Sequence, residues 1–185
     1  ENRSITHLDI SKCTTGDSFQ IDALADVLSK NPTLSHLTMD NISGVYWNAR
    51  AAHFSGALWV NTGLKTLSMN NVCMSSHNLS VVLGGLALHP KLRKLYALGP
   101  SADCRVLGTV TNIFLHSKKL RVLSLTFFNI GLLSDDDPFF QVLKENMVIT
   151  SIPGNYSTSE ITRTCSRNGH NRAARRLTLA SLFLP

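Results

Sequence analysis

Two stretches thirty residues apart carry nearly the same alternation of apolar and polar positions: NPTLSHLTMDNI at residues 31–42 and NTGLKTLSMNNV at residues 61–72. Each sets apolar side chains at the first, fourth and sixth places of a short phrase, with Asn or a small residue following. Aligning every segment that fits on its first apolar residue gives Ile5, Leu34, Leu64, Leu92, Leu120 and Ile149, at steps of 29, 30, 28, 28 and 29 residues. Within each phrase the alternation predicts a short strand. The remaining anchors are Leu8 and Ile10, Leu37 and Met39, Leu67 and Met69, Leu95, Leu123 and Leu125, and Ile152. Ala97 takes the third apolar place in the fourth copy and Gly154 in the sixth.

Between anchors the apolar period changes to about 3.6, as an amphipathic helix requires. The segments are IDALADVLSKN, AAHFSGALWVN, LSVVLGGLALH, VLGTVTNIFLH and DPFFQVLKEN, each running up to the next strand phrase. In SDDDPFF, Asp137 is placed to cap and Pro138 to fill the first turn. A strand followed by a helix, repeated at a constant step, is the signature of stacked units. One unit's apolar face is too small to stand alone, so neighbours must share a core.

Six copies in register resemble the leucine-rich repeats of the long, ribonuclease-inhibitor-like class, over residues 5 to about 155. The resemblance implies an α/β solenoid of about six repeats, with a curved parallel sheet on the concave face and helices on the convex face. An ordinary α/β domain of alternating strands and helices would account for the alternation. It would not account for the constant step or for the N-x-x-L lead-in at Asn31, Asn61 and Asn146. The expected division is a repeat region over residues 1–156 and a helical cap over 157–185. In the cap, Ser157 and Glu160 form a capping-box pattern, Ile161 and Cys165 share a helix face, and Asn168-Gly169 marks a turn before a second short helix. The strand phrase at Ile5 begins almost at once, so further sequence is expected upstream.

Composition changes this picture little. A hydrophobic content of 43% and a charged content of 16% suit one folded domain in a chain of 185 residues. There is no charge-free apolar run of about 18 residues, and the opening ENRSITHLDI has neither a basic nor an apolar leader region. A membrane partner is therefore not expected. The formal charge of +6 raises the question of nucleic acid, but five arginines (163, 167, 172, 175, 176) against Glu160 place +4 of it after Ser159. The rest is near neutral, and the arginine cluster has too little aromatic interleaving for a base-stacking platform. The arginines are read as closing the last repeat's free carbonyls rather than as a phosphate site, since similar N-x-x-R endings occur in ribonuclease-inhibitor-like repeats.

The strand residues between the anchors point away from the core, and in leucine-rich repeats that surface carries the partner. The residues nominated for partner binding are His36, Thr38, Lys65, Ser68, Asn70, Arg93, Lys94, Tyr96, Arg121, Ser124 and Thr126, in an outward row that also holds His7, Asp9 and Asp40. The row turns basic from the third copy onward, which suits a protein with an acidic patch. Tyr96, flanked by Arg93 and Lys94, is the best anchor, because Tyr and Arg dominate interface energetics. Trp59 is expected to pack within its helix. Trp47, in SGVYWNAR, is either packed or an exposed contact, with Tyr46 and Arg50 beside it.

No catalytic, cofactor or metal motif emerges: there is no H-E-x-x-H, Gly-rich phosphate loop, G-x-S-x-G or paired Cys/His spacing. His53, His77, His89, His116 and His170 are scattered, and Asp135–Asp137 reads as a helix start rather than a cation site. Four glycosylation sequons, where this composition supplies about three by chance, carry no weight. Cys13 and Cys73 sit two copies apart, roughly 10 Å at strand spacing, beyond the about 7 Å that a disulfide spans. With Cys104 and Cys165 they are expected to be buried and reduced, which favours an intracellular site of action. The expected function is a non-catalytic protein-binding module, in style most like the repeat region of a bacterial effector acting in a host cytoplasm. Alternatives are the substrate-recognition arm of a larger enzyme such as a ubiquitin ligase, and a GTPase regulator of the Ran GTPase-activating type, with Arg50 as its loop arginine.

Overall fold

A computed structural model describes residues 4–13, 21–42, 47–48, 50–102, 104–117, 119–127 and 138–145. The sixth strand phrase, the cap over residues 157–185, Asp135–Asp137 and Cys165 lie outside these residues. Strands and helices alternate: β1 (His7–Asp9), α1 (Ile21–Lys30), β2 (His36–Thr38), α2 (Ala51–Val60), β3 (Thr66–Ser68), α3 (Ser76–Gly84), β4 (Lys94–Ala102), α4 (Cys104–His116), β5 (Val122–Phe127) and α5 (Pro138–Glu145). The five strands form one parallel sheet in chain order. Each helix packs against the next, as right-handed crossovers between successive parallel strands require.

The register puts Leu8, Leu37, Leu67, Leu95 and Leu123 side by side across the sheet. The last four are fully buried, and they join Leu34, Met39, Leu64, Met69, Leu92, Ala97 and Leu120 in one core beneath the helices. The pairing steps of 29, 30, 28 and 28 residues equal the steps between the sequence anchors. Ile5 departs from the pattern: it is 42% exposed, because no described strand lies on that side of β1.

The first position of the N-x-x-L lead-in has a structural role at each described helix-to-strand turn; Asn146 lies outside the described residues. Asn31 Oδ1 accepts hydrogen bonds from the Thr33 and Leu34 amides at 3.1 and 3.2 Å, and Asn61 Oδ1 does the same for Gly63 and Leu64 at 2.9 and 2.8 Å. Asn61 Nδ2 also donates to the Leu28 carbonyl at 2.7 Å, tying one unit to its predecessor. In the next unit His89 takes the position, its Nδ1 accepting from the Lys91 and Leu92 amides. After that comes Ser117, whose Oγ accepts from Leu120. Three residue types thus perform one task, satisfying amides that would otherwise be buried without a partner. Gly63 fits because a Cβ there would run into the carbonyls of Pro32 and Leu34.

The third helix departs from expectation. It starts at Ser76, capped by the Ser75 hydroxyl accepting from the Asn78 amide at 3.3 Å, and ends at Gly84 instead of running to His89. Residues 85–89 continue as tighter turns, with the Gly85, Leu86, Ala87 and His89 amides each bonded three residues back. A side chain at Gly85 would strike the carbonyl and hydroxyl of Ser55, so glycine lets α3 approach α2 closely.

Candidate functional site

Strand alternation turns one set of side chains away from the helices, and the parallel register arranges that set in rows. One row is His7, His36, Thr66, Lys94 and Val122; the next is Asp9, Thr38, Ser68, Tyr96 and Ser124. A further row lies just before the strands. There the Ser35, Lys65, Arg93 and Arg121 amides each donate at 2.8 Å to the carbonyl of the preceding member, beginning with Thr6. Lys65, Arg93 and Arg121 are therefore consecutive neighbours, about 4.8 Å apart along the backbone. Lys94 stands beside them.

Lys65, Arg93 and Lys94 are exposed, and among the described residues none of them has an ion-pair partner. Arg121 is half-buried. Tyr96 is also half-buried, lying between Ser68 and Ser124 in the register. The sheet thus presents a compact basic surface with an aromatic side chain at its edge.

The structure brings the nominated residues onto one face but divides their work. His36, Thr38, Lys65, Arg93, Lys94, Tyr96 and Arg121 retain exposure. Ser68 is 9% and Ser124 1% exposed, so neither offers a contact surface. Small hydroxyls are screened by larger neighbours in their row, and Ser68 donates to both carboxylate oxygens of Asp40, at 2.8 and 3.0 Å. Asn70 is likewise engaged: its amide and Nδ2 donate to Asp40, and its Oδ1 accepts from the Leu98 amide at 2.9 Å. The Thr126 side chain lies outside the described part of the structure.

His7 was in the outward row but not among the nominated residues. Its ring lies on that of His36, centroids 4.1 Å apart and planes within 6°. Each Nδ1 is within hydrogen-bonding distance of the preceding hydroxyl, Thr6 Oγ1 at 2.9 Å and Ser35 Oγ at 2.8 Å. The signal was present in the shared T/S-H-L phrases at residues 6–8 and 35–37. Burial chiefly, then His7, Lys65 and Lys94, holds the His36 imidazole below its ordinary pKa.

Several other expectations are corrected. Trp59 is 54% exposed rather than packed, and Val60, Leu88 and Leu115 are exposed near the C-terminal ends of α2, α3 and α4 as well. Of the two readings left open for Trp47, the structure has the packed one: it is buried, edge-on to Phe54 at 5.6 Å. Cys13 and Cys73 are free but exposed, because they sit in the turns leaving the strands rather than on the core face. Arg50 is not a free loop arginine: its Nε donates to Asp22 Oδ2 at 2.8 Å, and His53 Nδ1 lies 3.0 Å from Asp22 Oδ1. The His53 contact chiefly, with Arg50 adding to it, keeps the Asp22 carboxyl below the usual carboxylate range. Among the described residues no three His, Cys, Asp or Glu side chains gather as a metal site, and no helix is long and apolar enough to cross a membrane.

No protein-family model matches the chain, and no curated protein matches it. Solved structures do. A leiomodin-1 actin-binding site 2 domain superposes with a TM-score of 0.67 at 17% identity, covering 83% of this chain and 91% of that one. A tropomodulin C-terminal domain from Caenorhabditis elegans gives 0.64 at 12% identity, covering 83% and 95%. At these identities the likeness is one of fold. It corrects the resemblance drawn from the sequence: the neighbours are short tropomodulin- and leiomodin-type domains, not a long six-copy repeat array of the ribonuclease-inhibitor-like class. Neither likeness supports a bacterial effector, a ligase arm or a GTPase regulator. The L-x-x-L-x-L phrase misled because it specifies only a strand with one buried face and a helix behind it, which any run of stacked parallel β–α units satisfies.

Proposed function

We propose that this chain is a non-catalytic protein-binding domain that engages its partner through the sheet face opposite the helices, centred on Lys65, Arg93, Lys94 and Tyr96. The observation that carries this reading is the group Lys65, Arg93 and Lys94, neighbouring exposed cations with no ion-pair partner among the described residues, set beside the half-buried Tyr96 on a paired sheet. Cations held in register by paired backbone steer an acidic surface and fix its orientation, while the tyrosine supplies contact area at low entropic cost. The fold of the leiomodin-1 actin-binding site supports a protein partner and makes actin the first to offer. The exposed thiols of Cys13 and Cys73 favour a reducing compartment.

Co-sedimentation with filamentous actin, together with titration of monomeric actin, tests the reading. Binding that is lost in the Lys65→Glu/Arg93→Glu double variant, with the melting temperature unchanged, is the expected result. Actin binding that survives the double reversal would move the surface elsewhere. No binding to either form of actin would remove actin as the partner.

A further inference from the structure

We propose that the stacked His7–His36 pair, with Lys65 and Lys94, forms a receiving site for one oxyanion of the partner, a carboxylate or a phosphoryl group, and that filling it is coupled to proton uptake by the pair. The inference rests on the reading of this sheet face as the binding surface and adds a site and a condition to it.

The geometry has two consequences. With both Nδ1 atoms turned to the hydroxyls of Thr6 and Ser35, protonation makes each Nδ1 a donor to its hydroxyl and each Nε2 a donor directed away from the backbone. Parallel rings then present two N–H groups side by side, an arrangement suited to the two oxygens of a single anionic group. Neutral imidazoles stack without electrostatic cost, whereas two imidazolium rings at 4.1 Å repel each other.

The groups around the pair do not relieve that repulsion. On β1, Asp9 accepts from the Ser11 amide at 2.9 Å. Beyond β2, Asp40 is held by Ser68 and Asn70. Lys65, just before β3, and Lys94 on β4 act on the His36 end of the pair, where their charge opposes protonation, and the helices pack on the opposite side of the sheet. Among the described residues no carboxylate touches either ring. An anion must come from outside to compensate the doubly protonated pair, and by linkage its binding raises the affinity of the pair for protons. Affinity therefore rises as pH falls through the histidine range and declines as pH rises.

The test uses the whole chain with two probes whose charge is nearly constant over the range compared, a hexaglutamate peptide for the carboxylate and inorganic sulfate standing in for the phosphoryl group. Binding is followed through the imidazole NMR signals of His7 and His36 and the amide signals of Lys65, Arg93 and Lys94. The expected result is affinity roughly tenfold higher near about pH 5.5 than near about pH 8, the equivalent of one pKa unit of coupling. His7→Gln and His36→Gln should flatten that dependence, while Lys65→Gln lowers affinity at both values. A probe that binds equally at both pH values, or a dependence that survives both histidine substitutions, overturns the coupling and leaves the basic face standing. No shift at Lys65, Arg93 or Lys94 with either probe at either pH overturns both.

Discussion

Asp40 and Asn70 occupy equivalent places in neighbouring units and are joined twice. Asp40 Oδ1 accepts from the Asn70 amide at 2.7 Å, and Asp40 Oδ2 accepts from Asn70 Nδ2 at 3.1 Å. Asp40's own amide donates to Ser11 Oγ in the preceding unit at 3.1 Å, while Asn70 Oδ1 accepts from Leu98 in the following one. This chain of bonds satisfies backbone where the strands end and their ladder stops. Asp40→Ala should therefore destabilise the fold by about 1–3 kcal/mol, the cost of amides left without an acceptor. Asp40→Asn, which keeps one acceptor oxygen, should cost less. Urea denaturation of the two variants measures both, and equal stabilities for Asp40→Ala and the parent chain would show the ladder to be dispensable.

One residue further on, Lys12, Asn41 and Asn71 all adopt left-handed backbone, at φ 60, 57 and 53°. Their amides donate to the carbonyls of Asp40, Asn70 and Leu98 in the next unit, so the conformation is imposed by the stacking. Asn tolerates it through local hydrogen bonding, whereas Lys carries the steric penalty of its Cβ. Lys12→Asn or Lys12→Gly should raise stability by about 0.5–1 kcal/mol, read as a shift in the denaturation midpoint. A lower midpoint for both would mean that the Lys12 side chain contributes something these bonds do not show.

His89 sits where two other units have Asn. Burial pushes its imidazole down to about 4 from an ordinary 6.5, because both ring nitrogens are buried and Nδ1 already accepts two amides. The unfolded chain then binds the proton first. The stability that neutral His89 contributes is complete above pH 6.5 and is lost as pH falls toward 4, by about 2 kcal/mol with allowance for solvent screening. Asp9 and Asp22, held below their ordinary 3.8, act in a separate and lower window. His89→Asn should keep the turn and flatten stability between pH 6.5 and 4. An unchanged slope in that variant would assign the acid sensitivity to another group.

Leu67 and Trp59 test the division between core and surface. Leu67 is fully buried at the centre of the sheet, and Leu67→Ala should cost about 2–5 kcal/mol through the cavity it leaves. Because neighbouring units share one core, the loss should appear as cooperative melting of the whole array. Trp59→Ser, at a position 54% exposed, should change stability by no more than about 0.5 kcal/mol. Calorimetry on the pair decides the matter, and a destabilised Trp59→Ser would place that ring in a contact beyond the described residues.

The sequence by itself determined the β–α unit, its step of 28 to 30 residues, the buried leucines and the outward row, because period and burial are local consequences of side-chain alternation. It also showed the recurrent Asn, at Asn31 and Asn61, before β2 and β3. It did not show that His89 and Ser117 do the same work, since different side chains can offer an acceptor to the same pair of amides. Only the tertiary structure decided which outward residues stay available. Ser68, Asn70 and Asp40 bind one another across about thirty residues of chain, and His7 lies on His36, because parallel register brings equivalent positions within about 4.8 Å. The exposure of Trp59 and the burial of Trp47, which the sequence left open, were decided for the same reason: a helix's exposed end and a loop's buried ring depend on what packs beside them, and neighbours in space are not neighbours in sequence.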